Sequence, residues 1–146
     1  MKTPDIRLRQ FGQALKRLQE ALALPEDSVV RDACIQRFEF TFEMSWKAIQ
    51  ADAAAEGTEC ASPRDCFRVA FRLGLIDLQE TRWLKMVEDR NRTSHTYDEE
   101  IAEAIYRALQ GYAEMFAVLL TALQKRKDLR TSEELPLFDQ KNKEEK

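Results

Sequence analysis

Histidine occurs once in this chain of 146 residues, at position 95. A zinc signature built on repeated histidines is therefore absent. Glycine and proline number only four each, too few for a turn-rich β protein. No Gly-rich phosphate loop, Walker signature, Asp-x-Asp motif or Gly-Ser pair is present, which excludes the usual stand-alone nucleotide-handling enzymes. The three cysteines, Cys34, Cys60 and Cys66, are odd in number and form no CxxC pair. Their simplest reading is a set of reduced thiols in a cytoplasmic setting. The spacing of Cys60 and Cys66 also invites comparison with a metal site, yet no histidine lies near it in sequence. No apolar run approaches the length of a membrane span, and Met1-Lys2-Thr3-Pro4-Asp5 lacks the apolar core of a signal peptide. The net charge of −3 argues against binding nucleic acid through bulk charge, while leaving room for a local basic groove.

What the chain has in quantity is helix-forming material. With 44% apolar and 34% charged residues it can bury a core and coat long helices with polar faces. A first helix is predicted over about residues 4–24, capped by Thr3, with Ile6, Phe11, Leu15, Leu18 and Leu22 as its stripe. A second should run from Asp27 or Ser28 to about Glu56 and stop at Gly57. Its core positions are Val30, Cys34, Phe38, Phe42, Trp46, Ile49 and Ala53, and Phe40 and Met44 widen the apolar surface enough for two neighbours. Ser62-Pro63-Arg64-Asp65 opens a short third helix with Phe67, Ala70 and Phe71, ending at Gly74. A fourth starts at Asp77 and reaches about Arg92, with Trp83, Leu84 and Val87 inward. A fifth begins near Asp98, with Glu99 and Glu100 in its first turn. Ile101, Ile105, Ala108, Tyr112, Met115, Leu119 and Leu123 mark its face. Gly111 inside that pattern suggests a close helix approach, since glycine costs about 1 kcal/mol there relative to alanine. The fold class is all-α, an up-and-down bundle of about four long helices plus a short one over residues 1–128. Residues 129–146 read as a polar, flexible tail with one apolar cluster at 135–138.

The chemistry-bearing residues gather at Asp89-Arg90-Asn91-Arg92-Thr93-Ser94-His95-Thr96-Tyr97-Asp98. On a continuous helix Arg90 and His95 would be about 140° apart around the axis. For the two to converge, the helix must break between them, and Thr93 and Ser94 can bond to the backbone in place of the helix ladder. Histidine near neutral pH exchanges protons, and arginine clamps phosphate oxygens. These are the residue types of a metal-free ribonuclease, which needs a base for the 2′-hydroxyl and a cation for the charged phosphorane. Asn91 can add a polar contact. Equally, cations at a helix end and hydroxyls at the next helix start serve as caps. Arg64, Arg68 and Arg72 lie at i, i+4 and i+8, a positive edge suited either to an RNA backbone or to plain solvation. Glu39 offers a carboxylate for an arginine, Arg37 of a neighbouring copy or Arg90.

The run Arg90-Asn91-Arg92-Thr93-Ser94-His95-Thr96-Tyr97 matches the R-x4-H-x-Y motif of HEPN-domain proteins. The chain further resembles their nucleotidyltransferase substrate-binding subfamily at three blocks. These are Ile35-Gln36-Arg37-Phe38-Glu39-Phe40-Thr41-Phe42-Glu43 with Trp46-Lys47, then Ser62-Pro63-Arg64, then Gly74-Leu75-Ile76. The resemblance implies a helical bundle that forms a homodimer and acts as the toxin of a toxin–antitoxin pair. The implied activity is metal-independent endoribonuclease, with no cofactor and no metal ligand, and the implied substrate is RNA. Arg90 and His95, assisted by Asn91, would be catalytic. Tyr97 would accept AMP from a cognate minimal nucleotidyltransferase, the antitoxin. Arg92, with the Arg64, Arg68 and Arg72 row, is the candidate RNA-binding set. The same resemblance allows an alternative, a non-catalytic subunit that presents substrate to its nucleotidyltransferase.

Overall fold

A computed structural model describes residues 2–77 and 80–144, and side chains as far as Ser132 apart from Glu80. Five α-helices follow in order: α1 (Thr3–Leu22), α2 (Ser28–Ala55), α3 (Pro63–Arg72), α4 (Glu80–Arg92) and α5 (Glu99–Glu144). A single 3-10 turn, Thr93–His95, joins α4 to the loop before α5. No strand occurs among the described residues, and the all-α reading holds.

The start and stop signals act where the residue chemistry places them. Asp27 caps α2 by accepting a hydrogen bond from the Val30 amide at 2.7 Å, and Ser62 caps α3 through the Asp65 amide at 3.2 Å. Gly57 and Gly74 take φ of +81° and +74° just beyond α2 and α3, the left-handed region that side chains avoid. At α1 the reading shifts by one residue. Thr3 is already helical, Lys2 stands at the cap position but its side chain makes no capping hydrogen bond, and Pro4 sits in the first turn. The expected cap of α4 at Asp77 leads into Leu78 and Gln79, which lie outside the described residues.

α1, α2 and α5 pack side by side as the main core, with α3 and α4 closing the other side of α2 and α5. An aromatic chain runs through it. Phe38 stacks on Tyr112 at 5.5 Å and touches Phe116, while Phe42, Phe67 and Trp83 continue toward α3 and α4. α2 buries residues on more than one side, including Ile35, Ala48 and Asp52, because it meets α1, α3 and α5 together. Trp46 is only half-buried and Phe40 is 51% exposed. In α1 the buried stripe is Leu8, Phe11, Leu15, Leu18 and Ala21. Ile6 is exposed, two residues before the buried stripe begins at Leu8.

Three expectations need correction. Cys60 and Cys66 form a disulfide, leaving only buried Cys34 as a free thiol. The α2–α3 connection folds back so that α3's first turn brings Cys66 against Cys60, a proximity that spacing alone does not reveal. Both sulfurs are thereby engaged, which removes the metal reading for the pair. Gly111 does not mark a close helix approach. A Cβ there would meet only the Arg82 guanidinium, at an ordinary 3.5 Å. Finally, α5 does not end at the supposed boundary after Asp128. It is continuous through Glu144, and Arg130 is bonded to Asp52 of α2. The side chains of the 135–138 cluster lie outside the described residues.

Candidate functional site at the α4–α5 junction

The junction is built by hydroxyl groups that replace the helix ladder. Thr93 Oγ1 donates to the Arg90 carbonyl at 2.7 Å, Ser94 Oγ to the Asn91 carbonyl at 3.3 Å, and Thr96 Oγ1 to the Thr93 carbonyl at 3.2 Å. These bonds satisfy carbonyls that the end of α4 would otherwise leave open. The chain then tightens into the 3-10 turn, so Arg90 and His95 do not share one α-helical register. Asp98 restarts the chain as α5 by accepting from the Glu100 and Ile101 amides at 2.9 and 3.3 Å. Arg31 of α2 grips Glu99 with both terminal guanidinium nitrogens, at 2.9 and 3.1 Å, and so fixes where α5 begins. That fork holds the Glu99 carboxyl below the usual carboxylate range.

Within this frame the motif residues take distinct places. Arg90 is half-buried in the last turn of α4. Its Nη1 donates to Thr93 Oγ1 at 3.0 Å and lies 3.8 Å from Glu39 Oε2 of α2. Its Nε is buried with no hydrogen-bond partner. His95 is exposed at the end of the 3-10 turn, with Nδ1 3.2 Å from the Tyr97 hydroxyl and the two rings edge to face. Tyr97 is 83% exposed, so its hydroxyl is open to a reacting partner. Asn91 is exposed on α4. Arg92 leans back toward Asp89, 3.6 Å away. Arg64, Arg68 and Arg72 form a separate exposed row on α3, where Arg68 stands 4.0 Å from Asp65.

Sequence reasoning left Asp89 without a role. Its buried carboxylate accepts a hydrogen bond from the Tyr112 hydroxyl of α5 and faces Lys85 and Arg92 at 3.8 and 3.6 Å. Burial, then the bond to Asp89, pushes the Tyr112 hydroxyl well above its ordinary range. The bond pins the last turn of α4, and with it Arg90, to α5. A signal for it existed: Asp89 is three residues beyond Met86 and six beyond Trp83, on the buried stripe of α4.

Residues 6–125 match the family described as nucleotidyltransferase substrate binding protein like. This chain belongs to that family. A curated relative from Haemophilus influenzae (strain ATCC 51907 / DSM 11121 / KW20 / Rd), named "Probable ribonuclease HepT", is 34% identical over 143 residues. The alignment covers 86% of this chain and 97% of the relative. Among solved structures, a protein of Thermus thermophilus is 46% identical with a TM-score of 0.73, covering 77% of this chain and 98% of that one. The tri-AMPylated HEPN toxin of Shewanella oneidensis, solved in complex with an MNT antitoxin, is 18% identical with a TM-score of 0.69. There the coverage is 86% of this chain and 98% of the toxin. The bundle is thus the HEPN-like helical fold. No helix among the described residues is long and apolar enough to cross a membrane.

Proposed function

We propose that this chain is a HEPN-type endoribonuclease, the toxin of a type II toxin–antitoxin pair neutralised by a minimal nucleotidyltransferase. The observation that carries the reading is the junction itself. An arginine and the chain's single histidine flank a helix break, the histidine exposed and its Nδ1 3.2 Å from an exposed tyrosine hydroxyl. When the Tyr97 oxygen accepts from Nδ1–H, Nε2 holds the lone pair that takes a proton. His95 then removes the proton from an RNA 2′-hydroxyl, the 2′-oxygen bonds to the adjacent phosphorus to give a 2′,3′-cyclic phosphate, and the P–O5′ bond breaks as the 5′-oxygen takes up a proton from water. Arg90 stabilises the charged phosphorane, and Asn91 adds a polar contact to the phosphate. No metal enters this scheme. Two copies of the chain, as a homodimer in the cytoplasm, would bring two such pairs to one RNA. Arg92 and the Arg64, Arg68 and Arg72 row would track its backbone.

The Haemophilus relative, a probable ribonuclease by name, supports the ribonuclease reading. The Shewanella toxin shares the fold and is itself AMPylated in a complex with its antitoxin. Tyr97 is the residue of this site that suits AMP transfer, being exposed and adjacent to His95. An AMP group there would put a phosphate's negative charge where the RNA phosphate must enter and would disturb the Tyr97–His95 contact.

The test is cleavage of RNA in the presence of EDTA. The wild type should cut, and Arg90→Ala and His95→Ala should each lose at least about 100-fold in rate with unfolding midpoints near that of the wild type. The family's description favours one second reading, a non-catalytic subunit that presents substrate to its nucleotidyltransferase. Equal inertness of wild type and variants toward a broad RNA panel would select it. Intact-mass measurement after incubation with the nucleotidyltransferase and ATP tests Tyr97, because the AMP increment should vanish in Tyr97→Phe.

A further inference from the structure

α2 carries a carboxylate to the site's arginine. Glu39 Oε2 lies 3.8 Å from Arg90 Nη1, and the same nitrogen donates to Thr93 Oγ1 at 3.0 Å. We propose that Glu39 is the positioning residue of Arg90: it aims the guanidinium and acts as a counter-ion that an incoming phosphate must displace or share. The inference rests on the reading that Arg90 receives a phosphate.

Three observations support it. The first is that Glu39's place is rigid. Phe38 and Phe42 flank it and are almost fully buried against Tyr112, Phe116 and Phe67, so α2 cannot turn Glu39 away. The second is that the pairing is particular. Glu43, one turn on, faces Lys47 at 3.9 Å, whereas Glu39 faces Arg90. The third is that the pair is open. The side chains of Arg90 and Glu39 are 32% and 33% exposed, so an anion can reach the guanidinium while the carboxylate still touches it. A pair this open and this long adds little to folding, so its value lies in directing charge. Arg90 Nε is buried without a hydrogen-bond partner, so it contributes no bond that would orient the group. Thr93 and Glu39 set the direction of Nη1.

The experiment is a double-mutant cycle on binding. The probe is a short RNA with 2′-O-methyl groups, which cannot be cleaved, followed by fluorescence anisotropy at low salt. Removing the counter-charge in Glu39→Gln should tighten binding about fivefold, the scale of one exposed ion pair. In the Arg90→Ala background the same substitution should change nothing. Unchanged or weaker binding of Glu39→Gln overturns the proposal. So does equal tightening in both backgrounds, which would mark a general charge effect, and so does a probe that binds no variant. In cleavage assays Glu39→Gln should lower both KM and kcat, since the guanidinium binds more freely but is no longer aimed; unchanged values of both reject the positioning role. A wild type that cuts no RNA ends the ribonuclease reading, and the binding cycle then still decides whether Glu39 governs Arg90.

Discussion

Two carboxylates of α2, one near its C-terminus and one near its middle, each meet arginine, and they do so in opposite ways. Near its C-terminus Asp52 is only 3% exposed. It accepts from Arg126 Nε and from Arg130 Nη1, each at 2.7 Å, and Arg126 also grips Glu56. Both oxygens of Asp52 are committed within the molecule. Toward the middle of the same helix, Glu39 meets Arg90 at 3.8 Å, with both side chains a third exposed. The contrast separates a charge cluster that holds α5 to α2 from a pair that leaves its arginine open to solvent. A buried carboxylate must be closed off by close donors because desolvation is costly. A half-exposed pair is still hydrated, contributes little to stability, and leaves its arginine available.

The comparison is broken most directly at the closed end. Asp52→Ala removes the shared acceptor of two arginines and should cost roughly 2–3 kcal/mol, somewhat below a fully buried pair because the arginines keep partial access to water. Urea unfolding measures the loss, and RNA cleavage per folded molecule should be unchanged. Next comes the Cys60–Cys66 disulfide, which spans six residues of sequence. Reduction should lower stability by about 2 kcal/mol through the freed loop, again with cleavage retained; a thiol assay with and without reductant should count two released thiols. The smallest effect is expected at Tyr112, which ties α4 to α5. Tyr112→Phe should cost about 1 kcal/mol. Because the folded hydroxyl titrates above its ordinary value of 10.0, the wild type's advantage is complete below that pH. It declines as pH rises through the unfolded value toward the folded one. Unfolding curves at pH 8 and pH 11 should therefore show the gap between wild type and Tyr112→Phe narrowing at the higher pH.

Much of the helical architecture could be read before any coordinates. Asp27, Ser62, Gly57 and Gly74 are local signals, and caps and left-handed glycines act within a few residues of themselves. The break after Arg92 was legible for the same reason, since Thr93 and Ser94 satisfy nearby carbonyls. What escaped depends on distant chain. The Asp89–Tyr112 bond joins residues 23 apart in sequence, and Arg130–Asp52 joins residues 78 apart. Neither partner carries a local mark of the other. The polar composition after Lys127 suggested a tail because a solvated helix and a tail look alike until a buried carboxylate such as Asp52 is found to need the arginine. Gly111 was misread for the converse reason: glycine has many uses, and only the neighbouring Arg82 shows that no helix crowds it.

The R-x4-H-x-Y run, most of the helix periods and the caps at Asp27 and Ser62 were determined by sequence alone, because each rests on spacing and on short-range hydrogen bonding. Only the tertiary structure decided which carboxylate faces which arginine. That choice depends on the phase in which α2 is clamped by Phe38 and Phe42 against α5 and α3, and helix phase is settled by packing, not by any single turn of chain.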